Sequence, residues 1–356
     1  MKKHPGSGTT NSIFRRLCAL LCACLMLISC GGTGGTAGTS QSGNAGEGKL
    51  SVVVTIFPLY DWAGNILGEE SGAELTFLLN SGVDMHSFQP TTSDIMKISS
   101  CDLFLYVGGE SDAWVEKALA EAANPKLVAV NLLELLGERA REEELLEGMQ
   151  EDEAHDHDHA EDEHDHEEDH DHAHGEESEY DEHIWLSLQN AAYLIPQIAE
   201  TLSGIDPENG ARYKENADAY VTKLNALDGE YAAVVAASPA KTLLFCDRFP
   251  FRYLAEDYGL TCYAAFSGCS AETEASFETI AFLSEKVKEL SLAHVITIEG
   301  SETKIADTVL AGAGAAGSDI LVLDSMQSTT AQDAEGGVSY LSVMEKNLEV
   351  LKEALQ

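Results

Sequence analysis

The chain has 356 residues, with 61 acidic side chains against 21 lysines and arginines and a formal net charge of −40. That length exceeds what one small core needs and predicts two domains. So acidic a surface argues against nucleic acid, which needs a basic face, and favours a cation as partner.

The N-terminus reads as a targeting segment. Lys2, Lys3, Arg15 and Arg16 precede a short apolar run, "LCALLCACLMLIS" (Leu17 to Ser29), which is short for a membrane span but right for a signal peptide. The run closes on "LISC", the order of aliphatic, spacer, small residue and cysteine at which bacterial lipoproteins are processed. Residues 1–29 are therefore expected to be removed and Cys30 to carry lipid. Residues 30–48, nearly all Gly, Ser, Thr and Ala, follow as a flexible tether. The expected location is extracytoplasmic, anchored to the cell membrane.

Residues 49–150 alternate strands with helices. "LSVVVTIF", "AELTFLL", "DLFLYVGG" and "KLVAVNL" are apolar, β-branched runs that predict buried strands. Between them, "LYDWAGNIL" opens as a helix at Pro58, and "SDIMKISS" and "SDAWVEKALAEA" are also helical. Such alternation predicts a mostly parallel sheet flanked by helices. The segment "LLELLGERAREEELLEGM" reads as a further helix running into the next region.

Residues 151–182 contain "AHDHDHAEDEHDHEEDHDHAH", in which nothing apolar exceeds alanine in size. No core can form from it, so a solvated loop is expected. Eight of the twelve histidines fall here: His155, His157, His159, His164, His166, His170, His172 and His174. Imidazole beside carboxylate predicts accessory metal binding, whereas an indifferent spacer has no need of the histidines. From Glu142 to Ala211 there is no lysine or arginine.

Residues 183–238 are helical throughout and connect the two halves. Residues 239–356 alternate again, with strands "TLLFC", "LTCYAAF", "HVITIE" and "DILVLD". The reading is an α/β protein of two lobes joined by a long helical segment. Of the cysteines beyond Cys30, Cys101, Cys246, Cys262 and Cys269 remain in the folded part, and their pairing stays open.

Ligands of open parallel sheets bind beyond the carboxyl ends of the strands. The polar residues expected there are His86, after the strand ending near Leu79, then Asp247 and Arg248, Glu299, and Asp324, with His183 opening the helical segment. Two histidines and several carboxylates suit a divalent metal such as zinc. Asp181 and Glu182 fit the solvated loop, and His294, which opens a strand, reads as structural.

These residues also carry a resemblance. "GVDMHSFQPTTSDIMKISSCDLFLYVGG", "DEHIWLSLQNA" and "YLAEDYGL" are similar to stretches of the zinc/manganese solute-binding lipoproteins of ABC transporters, and the likeness spans the whole mature domain. The resemblance implies two lobes on a long backbone helix, a metal site in the cleft between them, and delivery of the ion to a membrane permease. It places metal ligands on His86, His183 and Asp324. Its third ligand position falls on Arg248, which has no lone pair to offer. Asp247 is the first candidate to take that role, with Cys269 and Glu299 as alternatives. The histidine-rich loop resembles that of zinc members, so Zn2+ is expected, with Mn2+ the alternative. No G-x-S-x-G elbow or phosphate loop is present, and binding rather than catalysis is expected. The competing reading is a secreted zinc-dependent hydrolase, its open ligand position filled by water.

Overall fold

The computed structural model describes residues 49–150, 180–270 and 274–356. The expected signal segment, the tether, Cys30 and the eight loop histidines lie outside them.

The first sheet holds β1 (Ser51–Val54), β2 (Glu74–Phe77), β3 (Leu103–Tyr106) and β4 (Val128–Asn131) in the order β2-β1-β3-β4, all parallel. Val52, Val53 and Val54 are each 0–1 % exposed, as expected of a central strand covered on both faces. Its helices are α1 (Phe57–Leu67), α2 (Thr92–Ser100), α3 (Val115–Ala120) and α4 (Leu132–Leu136). α1 starts on Pro58 in its first turn, and α2 on a reciprocal capping pair between Thr91 and Asp94.

Two long helices follow, α5 (Leu188–Ile205) and α6 (Gly210–Ala237). The second sheet holds β5 (Thr242–Phe249), β6 (Thr261–Ser267), β7 (Val295–Ile298) and β8 (Ile320–Leu323) in the order β6-β5-β7-β8, again parallel. Its helices are α7 (Arg252–Tyr258), α8 (Phe277–Glu289), α9 (Lys304–Ala313), α10 (Ala331–Glu335) and α11 (Tyr340–Ala354). The protein is thus an α/β fold of two lobes, each a four-stranded parallel sheet flanked by helices.

α6 touches both lobes. Tyr220 donates to Asp61 on α1 at 2.6 Å, and Tyr231 to the Met344 carbonyl on α11 at 2.6 Å. One apolar cluster runs from β1 through α5 and α6 to α11, and a smaller one lies beneath α8 and α9. The lobes therefore share a core, which limits how far they can move apart.

Two expectations change. The helix expected from Leu132 to Met149 stops at Leu136, followed by a single 3₁₀ turn. Gly137 adopts φ +58°, and beyond it the backbone finds partners in the other lobe: Arg141 N donates to Tyr253 Oη at 3.0 Å and Gln150 N to the Ala265 carbonyl at 2.9 Å. Tertiary partners outweigh the local helix preference. Strand β5 also runs on past Cys246 to Phe249, with an irregular register between Phe245 and Arg248, so Asp247 and Arg248 lie within the strand.

Candidate metal centre

His86 sits on a 3₁₀ turn, Met85–Ser87, between β2 and α2. Asp84 caps that turn, accepting from His86 N at 3.1 Å. The ring's Nδ1 lies 2.7 Å from Ser111 Oγ, in the turn after β3, and 3.6 Å from Glu182 Oε2. With Nδ1 engaged, Nε2 is left to face the cleft.

His183 is fully buried, immediately before the turn that leads into α5. Asp181 Oδ1 accepts from its backbone N at 2.8 Å and lies 3.0 Å from its Nδ1. A carboxylate behind the imidazole orients the ring and raises its basicity, as is usual for histidines that ligate a metal. The two Nε2 atoms face each other at 3.3 Å. That is the separation of two ligands on one tetrahedral ion with bonds of about 2.0–2.1 Å.

Cys269 brings the third group. It follows β6, and its Sγ and the two imidazole nitrogens lie within 4.8 Å of one another. Gly268 makes this approach possible, because a Cβ there would stand 2.9 Å from His183 Cε1 and 3.0 Å from the Phe249 carbonyl. Gly109 does similar work for Glu182, whose Oε1 accepts from Ser111 N at 2.9 Å; a Cβ on Gly109 would sit 2.2 Å from that oxygen. His86, Ser111, Glu143, Tyr180, Glu182 and Cys269 line one open cavity of about 1100 Å³.

The electrostatics split the two histidines. Burial, and then repulsion from His183, push His86 down to about 3, so it is neutral at physiological pH. Burial also opposes charge on His183, but Asp181, then Glu182 and Glu143, outweigh it and raise its pKa. Burial pushes the Cys269 thiol up, and the carboxylates of Glu143, Glu182 and Asp181 push it further. A cation in the cleft would reverse the rises at His183 and Cys269 and keep His86 neutral.

The other sequence candidates stand elsewhere. Asp247 does not join the group: its Oδ1 accepts from Arg248 N at 2.8 Å and its Oδ2 from Ile298 N at 3.2 Å, so it holds the irregular part of β5 against β7. Glu299 accepts from Ser325 N and Oγ, each at 2.7 Å, and from Gln327 N at 3.1 Å. Asp324 accepts from Met326 N at 2.8 Å and stands outside the group of three. Both acids stabilise the tight turn after β8, where Met326 takes φ +64°. Arg248, on which the third ligand position of the resemblance falls, donates to Asp84 Oδ2 at 2.8 Å. It thereby links the second lobe to the residue that caps the His86 turn. Asp181 and Glu182, expected in solvent, are 3 % and 2 % exposed. Their position directly before His183 was the available signal. Nothing local in the sequence marks Ser111 or Glu143, which the fold brings in from distant loops. Cys101, Cys246, Cys262 and Cys269 are all free thiols.

Two α/β lobes with nitrogen and sulfur donors meeting between them define a cleft-type ligand-binding protein whose donor set suits a metal ion. The chain belongs to the family described as zinc-uptake complex component A, periplasmic, whose model matches residues 52–354. It is 33 % identical over 338 residues to the zinc-binding lipoprotein AdcA of Streptococcus pneumoniae, covering 95 % of this chain. It spans only 60 % of the length of that relative. The high-affinity zinc uptake system protein ZnuA of Bacillus subtilis is 29 % identical over 337 residues, covering 94 % of this chain and 96 % of that protein. Among solved structures, the Zn(II)-bound ZnuA-like domain of S. pneumoniae AdcA is similar with a TM-score of 0.65 and 30 % identity, covering 86 % of this chain and 99 % of that one. The metal-dependent lipoprotein YcdH of B. subtilis gives a TM-score of 0.66 at 27 % identity, with 86 % and 99 % covered.

Proposed function

We propose that this protein is an extracytoplasmic zinc receptor that captures Zn2+ between its lobes and hands it to an ABC importer permease. One observation carries the reading: two histidine Nε2 atoms 3.3 Å apart with a cysteine sulfur beside them, in a cleft lined by carboxylates. His86, His183 and Cys269 are the ligands. Family membership supports capture rather than chemistry, and the relatives' names supply zinc. The thiolate favours zinc over Mn2+, which prefers oxygen donors.

The residues divide the work. Ser111 and Glu182 hold the His86 ring, and Asp181 holds that of His183, so each presents Nε2 to the ion. Binding displaces the proton of Cys269, and the surrounding carboxylates accommodate the cation's charge. Shared core between the lobes makes closure modest, which suits an ion that must be released again.

Titration of zinc against a competing chelator tests the reading. The mature protein is expected to bind one ion tightly, and His86→Ala, His183→Ala and Cys269→Ser each to lose that binding. Retention of parental affinity by any two of these variants would remove the site from this position. Anchoring rests on Cys30, since thioether formation needs its thiol: Cys30→Ala is expected to release or misprocess the protein. An unmodified, differently cleaved N-terminus in the native protein, seen by mass spectrometry, would overturn that part.

A further inference from the structure

Three protein ligands leave the fourth tetrahedral position of a zinc ion to be filled. The other carboxylates at strand ends stand elsewhere: both oxygens of Asp247 and of Glu299 already accept hydrogen bonds, and Asp324, which accepts from Met326 N, lies outside the group of three. Glu143 differs. It lines the same cavity, where the Cys269 backbone N–H and the Ser267 hydroxyl oppose the rise that burial gives its pKa. Its Oε1 is nevertheless buried with no partner. A buried carboxylate oxygen without a donor is costly, and a cation is what would relieve it.

We propose that Glu143 is the fourth zinc ligand, completing a His86–His183–Cys269–Glu143 site; this rests on the three-ligand reading above. The flanking backbone supports the placement. Arg141 N donates to Tyr253 Oη at 3.0 Å, the Arg141 carbonyl accepts from Asp181 N at 2.8 Å, and the Glu142 carbonyl accepts from Arg252. Residue 143 is thereby pinned between the segment 180–182 that leads to His183 and the second lobe. Its charge acts on Cys269 more than that of any other carboxylate, and on His183 as well. Glu143 stands outside the tight group of three, so coordination requires its side chain to turn toward the histidines.

Charge balance favours the same residue. Two neutral imidazoles, one thiolate and one carboxylate around Zn2+ make a neutral unit, which a low-dielectric cleft tolerates far better than a net charge. Glu182 also has an unpaired oxygen, Oε2, but it lies 3.6 Å from His86 Nδ1, on the side of the ring away from Nε2. It is a partner of the imidazole and a positioning residue.

Cobalt(II) loaded in place of zinc reports each ligand separately: a thiolate gives a near-ultraviolet charge-transfer band, and the visible ligand-field bands report coordination number and donor type. The parent is expected to show the charge-transfer band with an intense four-coordinate spectrum. Glu143→Gln keeps its hydrogen-bond acceptor but gives up a good ligand, so it should retain the charge-transfer band, change the ligand-field bands, and lose more than about 100-fold in zinc affinity, beyond what a supporting residue costs. Glu182→Gln should keep the parental ligand-field spectrum. Glu143→His supplies a new donor and is expected to restore a four-coordinate spectrum; it also serves if the glutamine variant fails to fold. A parental ligand-field spectrum in Glu143→Gln would overturn the assignment of Glu143 alone. Absence of the charge-transfer band from the parent would instead overturn the Cys269 reading beneath it.

Discussion

Gly268→Ala is a one-carbon perturbation aimed at the metal centre from outside the ligand set. The added methyl would stand 2.9 Å from His183 Cε1 and 3.0 Å from the Phe249 carbonyl. Carbon atoms settle at about 3.5–4.0 Å, so roughly 0.6 Å must be found by movement. Phe249 is held in β5, and His183 is 0 % exposed with its ring fixed by Asp181. The displacement therefore falls on His183 or on the loop carrying Cys269, both of which present proposed ligands. Metal–ligand distances tolerate only about 0.2 Å, so zinc affinity should fall about 10–100-fold, as for other changes just outside the ligands. Overpacking itself should cost about 1–3 kcal/mol, a drop of several degrees in the melting temperature of the zinc-free protein. Chelator competition and thermal melts with and without zinc measure the two effects separately. Parental zinc affinity in a variant that melts lower would refute the argument, since the strain would then have gone elsewhere than the site.

Other outcomes follow from the same geometry. Asp181→Asn should weaken zinc about 10–100-fold through the orientation and basicity of His183; unchanged affinity would mean that the pair at 3.0 Å does no positioning. Zinc binding should release about one to two protons near neutral pH and strengthen as pH rises. The sign comes from the free protein: Cys269 and His183 have raised pKa values and hold protons that the ion must displace, whereas His86, near 3, has none to lose. Calorimetry in buffers of different ionisation enthalpy counts the protons, and zero release would contradict a cysteine ligand. Replacing residues 151–179 by a short Gly/Ser linker should remove several weak ions and spare the tight one. Loss of tight binding with that segment would make the loop the site.

The sequence made the architecture legible because its strands are short apolar runs and its helices carry caps and periodic faces, as at Pro58 and Thr91. His86 and His183 could be singled out by their places at a strand end and a helix entry. The third position was harder to read for physical reasons. Asp247 looked placed for it only while β5 was taken to end at Cys246; the irregular register that extends the strand turns its carboxylate onto Ile298 N. Cys269 reaches the histidines through a loop whose path depends on the packing of Gly268 against His183, a contact between residues 85 positions apart that no local pattern encodes. Glu143 was hidden in a stretch whose composition favours helix and whose conformation is set by partners such as Tyr253 and Ala265 in the other lobe.

The most direct test of the zinc-receptor reading is a structure of the zinc-bound protein with anomalous data collected across the zinc edge. One strong peak is expected in the cleft, about 2.0–2.1 Å from His86 Nε2 and His183 Nε2 and about 2.3 Å from Cys269 Sγ. A zinc peak that leaves Cys269 Sγ beyond bonding distance, or that lies away from both histidines, would contradict it.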